Sequence, residues 1–175
     1  MIDVQALLLA AIGKNSDSDK WIDAPFEQIK RISNTKVGSV GQSFLESLAE
    51  ALQIETAFPL NDSGERKTQS PWDISLEGIK FELKTATEDT TGHFQFNHVR
   101  YHRPYDALLC LGISPDKIYF NLWSKAEVTT GKAGNLVSME MGANASYKLT
   151  KAPAQLFPIA QFKDKFDTFK AAWTM

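Results

Sequence analysis

The feature that most constrains the fold is a change of hydrophobic spacing near Trp72, from a helical period to strict alternation. On either side of the dipeptide Glu77-Gly78, polar residues alternate with apolar ones: Ile74, Leu76, Ile79, Phe81 and Leu83. A two-residue turn containing glycine joins antiparallel strands, so the stretch predicts a β-hairpin that pairs Leu76 with Ile79. Since successive side chains point to opposite faces of a strand, this hairpin must lie in a sheet that buries its apolar face.

The opposite face of the predicted hairpin is charged. Its register places Asp73 opposite Glu82, with Cβ atoms about 5 Å apart, and such carboxylates repel each other in a purely structural hairpin. A divalent cation removes the repulsion, and oxygen ligands suit a hard ion such as Mg²⁺. Lys84 follows on the same face, where its ammonium group would lie beside the ion. The alternative is a solvated face that alternates lysine and glutamate, since so short a pattern also arises by chance.

The rest of the chain predicts helices before the hairpin and mainly strands after it. Helical spacing is found at residues 2–12, 24–32 and 40–52, of which the first two predict short amphipathic helices. The longest polar linker, residues 60–70, is predicted to be a mobile loop. Strands are predicted at residues 72–76, 79–85, 105–113, 118–123 and 146–149. With a helical turn at 124–128 and a closing helix at 159–173, this order predicts a mixed α/β fold.

Composition indicates one soluble globular domain without disulfides. The 175 residues are 43% apolar and 23% charged, with a formal net charge of −2 and one cysteine. That cysteine, Cys110, lies in an apolar run and is predicted to be a buried, unreactive thiol. The apolar stretch at residues 6–12 has no basic flank before it and no cleavage pattern after it. It predicts neither a signal peptide nor a membrane span, and we expect a cytoplasmic protein.

Two segments of the hairpin resemble the signature of the PD-(D/E)XK nuclease superfamily. They are Pro71-Trp72-Asp73 and Phe81-Glu82-Leu83-Lys84. The sequences FQFNHVR at residues 94–100 and YDALL at residues 105–109 also resemble segments that follow this signature in type II restriction endonucleases. The resemblance covers residues 37–125. It implies a restriction-endonuclease-like core, in which a mixed central β-sheet with a catalytic hairpin is flanked by helices.

The same resemblance implies roles for the residues of the hairpin. Asp73, Glu82 and the backbone carbonyl of Leu83 would bind Mg²⁺, with Mn²⁺ as a substitute, and Lys84 would be the catalytic lysine. The literal proline-aspartate dipeptide of the family is absent, because a tryptophan separates the two residues.

The helix before the hairpin departs from the family pattern. Family members often carry a glutamate on this helix that reaches the metal, whereas here Gly41 is followed by Gln42. The nearest acid is Glu46, one turn later on the same flank, and we assign it an auxiliary catalytic role. Participation of Gln42 instead, and a plain exposed glutamate at position 46, both remain open.

The stretch after the hairpin is basic, although the net charge of the whole chain is close to neutral. Residues 90–105 contain no acid and include His93, His102 and three further basic or imidazole side chains. DNA affinity comes mostly from contacts to phosphates, while asparagine and glutamine can pair with adenine and arginine with guanine. We therefore predict DNA contacts from five residues of this stretch: Gln95, Asn97, His98, Arg100 and Arg103.

The three histidines of this stretch have two other interpretations. His98 and His102 would share a helical face and, with His93, form a zinc site. Pro104 disfavours a helix there, and no glutamate follows in the manner of HExxH. The remaining interpretation is a loop with solvent-exposed imidazoles.

These observations predict one domain, residues 1–175, with a helical N-terminal section (1–36), a catalytic core (37–125) and a C-terminal strand and helix (126–175). Its predicted activity is Mg²⁺-dependent cleavage of double-stranded DNA at a specific site, as in type II restriction endonucleases. A palindromic site calls for a homodimer, and a cognate DNA methyltransferase is a further expected partner. The alternatives are a structure-specific repair or nicking nuclease, a non-catalytic DNA-binding subunit, and a sheet protein without a nucleic-acid role.

Overall fold

The computed structural model describes residues 3–15 and 19–173. Its helices are α1 (Val4–Asn15), α2 (Asn34–Ala51), α3 (Lys125–Thr129) and α4 (Phe162–Trp173). Its strands are β1 (Thr56–Ala57), β2 (Ile74–Leu76), β3 (Ile79–Thr87), β4 (Phe94–Val99), β5 (Ala107–Ile113), β6 (Ile118–Ser124), β7 (Leu136–Glu140), β8 (Ser146–Lys151) and β9 (Phe157–Pro158). The predicted mixed α/β class is confirmed. Among these residues, no helix combines the length and the apolar character needed to cross a membrane.

The strands form two sheets. The main sheet has six strands in the order β1-β2-β3-β5-β6-β9, and the small sheet has three in the order β4-β8-β7. Strands β3 and β5 pair in parallel, whereas every other neighbouring pair of the main sheet is antiparallel. The central sheet is therefore mixed, as predicted. Strand β5 is buried along its whole length, as its unbroken apolar run requires of a central strand.

The predicted hairpin is formed by β2 and β3. Glu77 and Gly78 both have positive φ angles, 48° and 87°, which is the backbone of a type I′ turn. The register pairs Leu76 with Ile79 and Ile74 with Phe81, as predicted. The turn chemistry therefore sets the alignment of every residue further along the two strands.

Each face of the main sheet is covered by a different layer. The apolar face of the hairpin packs against α2 and α4, with Phe81 lying 6.4 Å from Phe166 and 6.0 Å from Phe169 between ring centroids. The other face packs against the small sheet and α3 in a second cluster, which includes Phe94, Phe96 and Cys110. Cys110 is fully buried, as predicted, and this burial raises the pKa of its thiol.

The N-terminal section differs from its prediction. Helix α1 exists, although residue 2 lies outside the described residues, but it is not amphipathic, because its apolar side chains are spread around the helix. The large ones from Val4 to Ile12 are all more than half exposed. The helix predicted at 24–32 is wrong, since only Glu27–Arg31 forms a short 3-10 turn. No side chain caps the start of this turn. The backbone N–H of Phe26, the residue before it, donates to the carbonyl of Pro115.

Two further differences affect the site. Helix α2 begins at Asn34, six residues before its predicted start at 40. The stretch 90–105, treated above as one basic strip, contains strand β4, and this strand leaves the main sheet to pair with β8.

Candidate active site

Asp73 directly precedes β2 and is still hydrogen-bonded to β3. Its backbone N–H donates to the carbonyl of Phe81 at 2.8 Å, and its carboxylate Oδ2 accepts from the N–H of Leu83 at 2.7 Å. The side chain thus replaces the backbone acceptor that β2 no longer supplies. This double attachment fixes the Asp73 carboxylate beside β3, on the side where Glu82 lies.

Glu82 is a buried acid with a cation next to it. Only 4% of the residue is exposed, and Lys84 Nζ lies 2.6 Å from its Oε1. Burial raises the pKa of Glu82 above its ordinary value, an effect that the Lys84 charge opposes and the Asp73 charge reinforces. Asp73, Glu82 and Lys84, the three hairpin side chains predicted from the sequence to form a site, therefore lie close together in the structure.

The carbonyl of Leu83 faces the same edge of β3. In a strand, the N–H and C=O of one residue point to the same neighbour, and the Leu83 N–H points to Asp73. This edge offers hard oxygen atoms from Asp73, Glu82 and the backbone, which fit an ion such as Mg²⁺ that takes one or two carboxylates and keeps several waters. In the described part of the chain, no group of three or more acidic, histidine or cysteine side chains is placed to share a metal.

Glu46 lies in the groove beside the hairpin but is already engaged. Its Oε1 accepts from Gln42 Nε2 at 2.9 Å and forms an ion pair with Arg66 Nη2 at 2.6 Å. Burial alone would raise the pKa of Glu46, but the hydrogen bonds and charge of these partners lower it below its usual value. The carboxylate is thus held ionised by two neighbours.

This hairpin groove has a volume of about 620 Å³, and its walls are formed by α2, the linker 60–70 and the hairpin. Its lining includes Gln42, Glu46, Arg66, Asp73 and Lys84. Arg66 was not predicted as a site residue, although it forms a basic pair with Lys67 in the linker.

A second groove, here called the β4 groove, begins at the other side of Lys84. It has a volume of about 490 Å³, and Gln95, Asn97 and His98 line it. A β-bulge lies between Phe96 and Val99, where His98 has a φ of 57°. Because of this extra residue, Asn97 and His98 are both exposed, which regular alternation would not allow.

The two arginines predicted to contact DNA are not among the residues that line the β4 groove, although Glu140 lies beside both Arg100 and His98. Arg100 Nη2 is 3.4 Å from Glu140 Oε2 on β7, and this carboxylate also accepts from Ser146 Oγ at 2.7 Å. Arg103 donates to the carbonyl of Ser70 at 3.5 Å, and its charge reaches Glu82. The basic strip is therefore divided, and acids from outside 90–105 partly neutralise it.

The three histidines do not share a site. His93 Nδ1 is 3.0 Å from Thr91 Oγ1, while His98 Nδ1 is 3.3 Å from Ser146 Oγ. His102 is exposed in the turn after β4. Since β4 is a strand, His98 and His102 cannot share a helical face.

No protein-family model matches this chain, and no curated protein matches it either. Among solved structures, the fold is similar to that of a bacterial homing endonuclease, I-Ssp6803I, with a TM-score of 0.44 and 14% sequence identity. The alignment covers 69% of this chain and 79% of the other. A similarity this low does not indicate a function.

Proposed function

We propose that this protein is a Mg²⁺-dependent DNA endonuclease of the type II restriction class. The observation that carries the proposal is that Asp73 and Lys84 line an open groove at the hairpin, and that Lys84 is paired there with the buried acid Glu82. Burying an acid beside a second acid costs stability, and such arrangements are enriched at catalytic sites.

The side chains of the hairpin have distinct roles in this proposal. Asp73, Glu82 and the Leu83 carbonyl hold the ion, which when bound supplies a water of lowered pKa and neutralises charge on the phosphate. Lys84 directs its ammonium group toward the phosphate and stabilises the charge that builds on it. Water adds to phosphorus and the P–O3′ bond breaks, leaving a 5′-phosphate and a 3′-hydroxyl. Positioning and charge stabilisation supply nearly all of the rate.

The β4 groove provides the surface for the DNA in this proposal. Gln95, Asn97 and His98 are exposed there, and the groove is continuous with Lys84. Gln95 is oriented by Asp89, whose Oδ2 accepts from its Nε2 at 2.9 Å. A side chain held in this way keeps one geometry for a base edge or a phosphate.

Cleavage of both strands at a palindrome requires two active sites related by a two-fold axis, so the proposed enzyme acts as a homodimer. Protection of the host DNA would fall to a methyltransferase that modifies the same sequence. Mn²⁺ would replace Mg²⁺, because it takes the same oxygen ligands. The proposed place of action is the cytoplasm.

The test is incubation of the purified protein with long unmethylated phage DNA in Mg²⁺, beside Ca²⁺ and EDTA controls and the variant Lys84→Ala. We expect discrete fragments that require Mg²⁺ and disappear with Lys84→Ala. If the protein cleaved only branched or mismatched DNA, it would be a structure-specific nuclease and not a restriction endonuclease. Absence of both cleavage and DNA binding would refute the nuclease proposal.

A further inference from the structure

Arg66 is a constrained cation in the hairpin groove that has no part in the proposed catalytic step. Its guanidinium carbon lies 3.7 Å from the centroid of the Phe58 ring, and its Nη2 lies 2.6 Å from Glu46 Oε1. One face of the guanidinium is therefore stacked and one edge is paired. This arrangement fixes the position of a side chain that is otherwise among the most flexible.

The linker that carries Arg66 is itself ordered by local hydrogen bonds. Leu60 and Arg66 form an isolated antiparallel bridge, and Asn61 N donates to the carbonyl of Glu65 at 2.8 Å. The Asn61 side chain accepts from the backbone N–H groups of Ser63 at 3.1 Å and Glu65 at 2.8 Å. The tip of the linker is thus a compact turn that presents Arg66 to α2.

Arg66 remains accessible to a ligand in the groove. Its side chain is 43% exposed, and a guanidinium has five N–H donors in a planar fork, of which Nη2 donates to Glu46. The hairpin groove that it lines also contains Asp73 and Lys84. A planar fork of this kind matches the geometry of a phosphate group.

We propose that Arg66 binds a phosphate of the DNA strand in the hairpin groove, and that Glu46 and Phe58 position its guanidinium. Glu46 then acts through Arg66 and is not a ligand of the metal. This inference rests on the proposed endonuclease function. It assigns the hairpin groove, as well as the β4 groove, to the same substrate, and Lys84 lines both grooves.

Two observations favour a positioning role for Glu46 over metal binding. Its Oε1 accepts from both Gln42 and Arg66, so an ion at this oxygen would have to displace two donors. Glu46 also does not complete a group of three acidic side chains with Asp73 and Glu82 in the described part of the chain.

The test is a double-mutant cycle on DNA binding. Affinity for a duplex oligonucleotide would be measured by fluorescence anisotropy in Ca²⁺ across a series of salt concentrations, for wild type, Arg66→Ala, Glu46→Gln and the double variant. Arg66→Ala is expected to weaken binding about tenfold to a hundredfold, as loss of a charge-assisted hydrogen bond does. It should also reduce the slope of log affinity against log salt by about 0.9, the value for one phosphate contact.

Glu46→Gln should weaken binding by less, and it should have no further effect once Arg66 is absent, because its role passes through Arg66. The matched control is Arg31→Ala, which removes an arginine paired with Glu27 at 2.7 Å outside both grooves and should leave the salt slope unchanged.

Three results would overturn the inference. An unchanged salt slope in Arg66→Ala would exclude a phosphate contact, even if the wild type binds and cleaves DNA through Lys84. An equal loss of cleavage from Glu46→Gln with and without Arg66 would show that Glu46 acts independently, as a metal ligand does. Failure of the wild type to bind DNA would overturn this inference together with the endonuclease function.

Discussion

The carboxylate of Asp73 accepts the backbone N–H of Leu83 at 2.7 Å, just beyond the point where β2 stops pairing with β3. One side chain therefore closes the hairpin and also faces the proposed ion. A substitution at this position can disturb the fold and the chemistry at the same time, so two variants are needed to separate them.

Asp73→Asn and Asp73→Ala should differ in stability and agree in activity. Asparagine keeps an oxygen that accepts the Leu83 N–H, whereas alanine leaves that donor unsatisfied, at a cost of about 1–3 kcal/mol. Urea unfolding in EDTA should therefore show a lower midpoint for Asp73→Ala alone, while neither variant cleaves DNA. A similar loss of stability in both variants would contradict the structural role of this hydrogen bond.

Glu82→Gln should be more stable than the wild type at neutral pH without divalent ions. Burial raises the folded-state pKa of Glu82, so the folded protein binds this proton more tightly than the unfolded chain does. The wild type therefore loses stability as pH rises from the ordinary glutamate pKa through the raised one. The advantage of Glu82→Gln should be fully present above this interval and vanish below it.

Thermal unfolding in EDTA at pH 7 and near pH 4 measures this difference. Glu50→Gln, on the exposed side of α2, is the matched control for the removal of a glutamate charge. Addition of Mg²⁺ should raise the midpoint of the wild type and leave that of Glu82→Gln unchanged, since only an ion that binds the folded state stabilises it. A less stable Glu82→Gln at pH 7 would mean that the Lys84 ion pair outweighs the burial cost.

Gly41→Ala and Gly38→Ala should have opposite effects, although both glycines lie in α2. A Cβ on Gly41 would overlap Oγ1 of Thr85 on β3, whereas one on Gly38 would meet nothing within 4 Å. The first change overpacks the contact between helix and sheet and should cost about 1–3 kcal/mol. The second should stabilise the helix by about 0.5–1 kcal/mol. Chemical denaturation of both variants measures the difference, and equal effects would contradict the close approach of α2 to the sheet.

Glu140→Gln should reduce discrimination between DNA sequences. The Glu140 carboxylate lies 3.4 Å from Arg100 Nη2 and 3.6 Å from His98 Nδ1, and it accepts a hydrogen bond from Ser146. Its removal leaves these groups less ordered and takes a negative charge away from the proposed DNA surface. Affinity for random DNA should rise while the ratio of specific to random affinity falls, as measured by competition binding. Weaker binding to random DNA would contradict this arrangement.

Local patterns were sufficient to predict the hairpin. The register follows from a two-residue turn, in which Glu77 and Gly78 adopt positive φ, and from alternation that leaves one buried face. Asp73, Glu82 and Lys84 then fall together because they belong to the same short ladder. No contact distant in sequence is required to bring them together.

The residues that escaped prediction depend on distant contacts. Strand β4 pairs with β8, about fifty residues later, and its alternation is broken at the His98 bulge. The partners of Arg100 and Glu46 lie on β7 and in the linker 60–70. Such pairings depend on how the layers pack. A sequence pattern that repeats every two or four residues does not predict them.

The division of the strands between two sheets has an evolutionary consequence. Asn97 and His98 belong to a bulge of the small sheet, whereas Asp73 and Glu82 depend on the hairpin ladder of the main sheet. Exchange of the exposed bulge residues leaves that ladder intact. A lineage built on this scaffold could therefore explore new recognition sequences by a few substitutions in β4 while its catalytic chemistry stays constant, and laboratory selection could follow the same route.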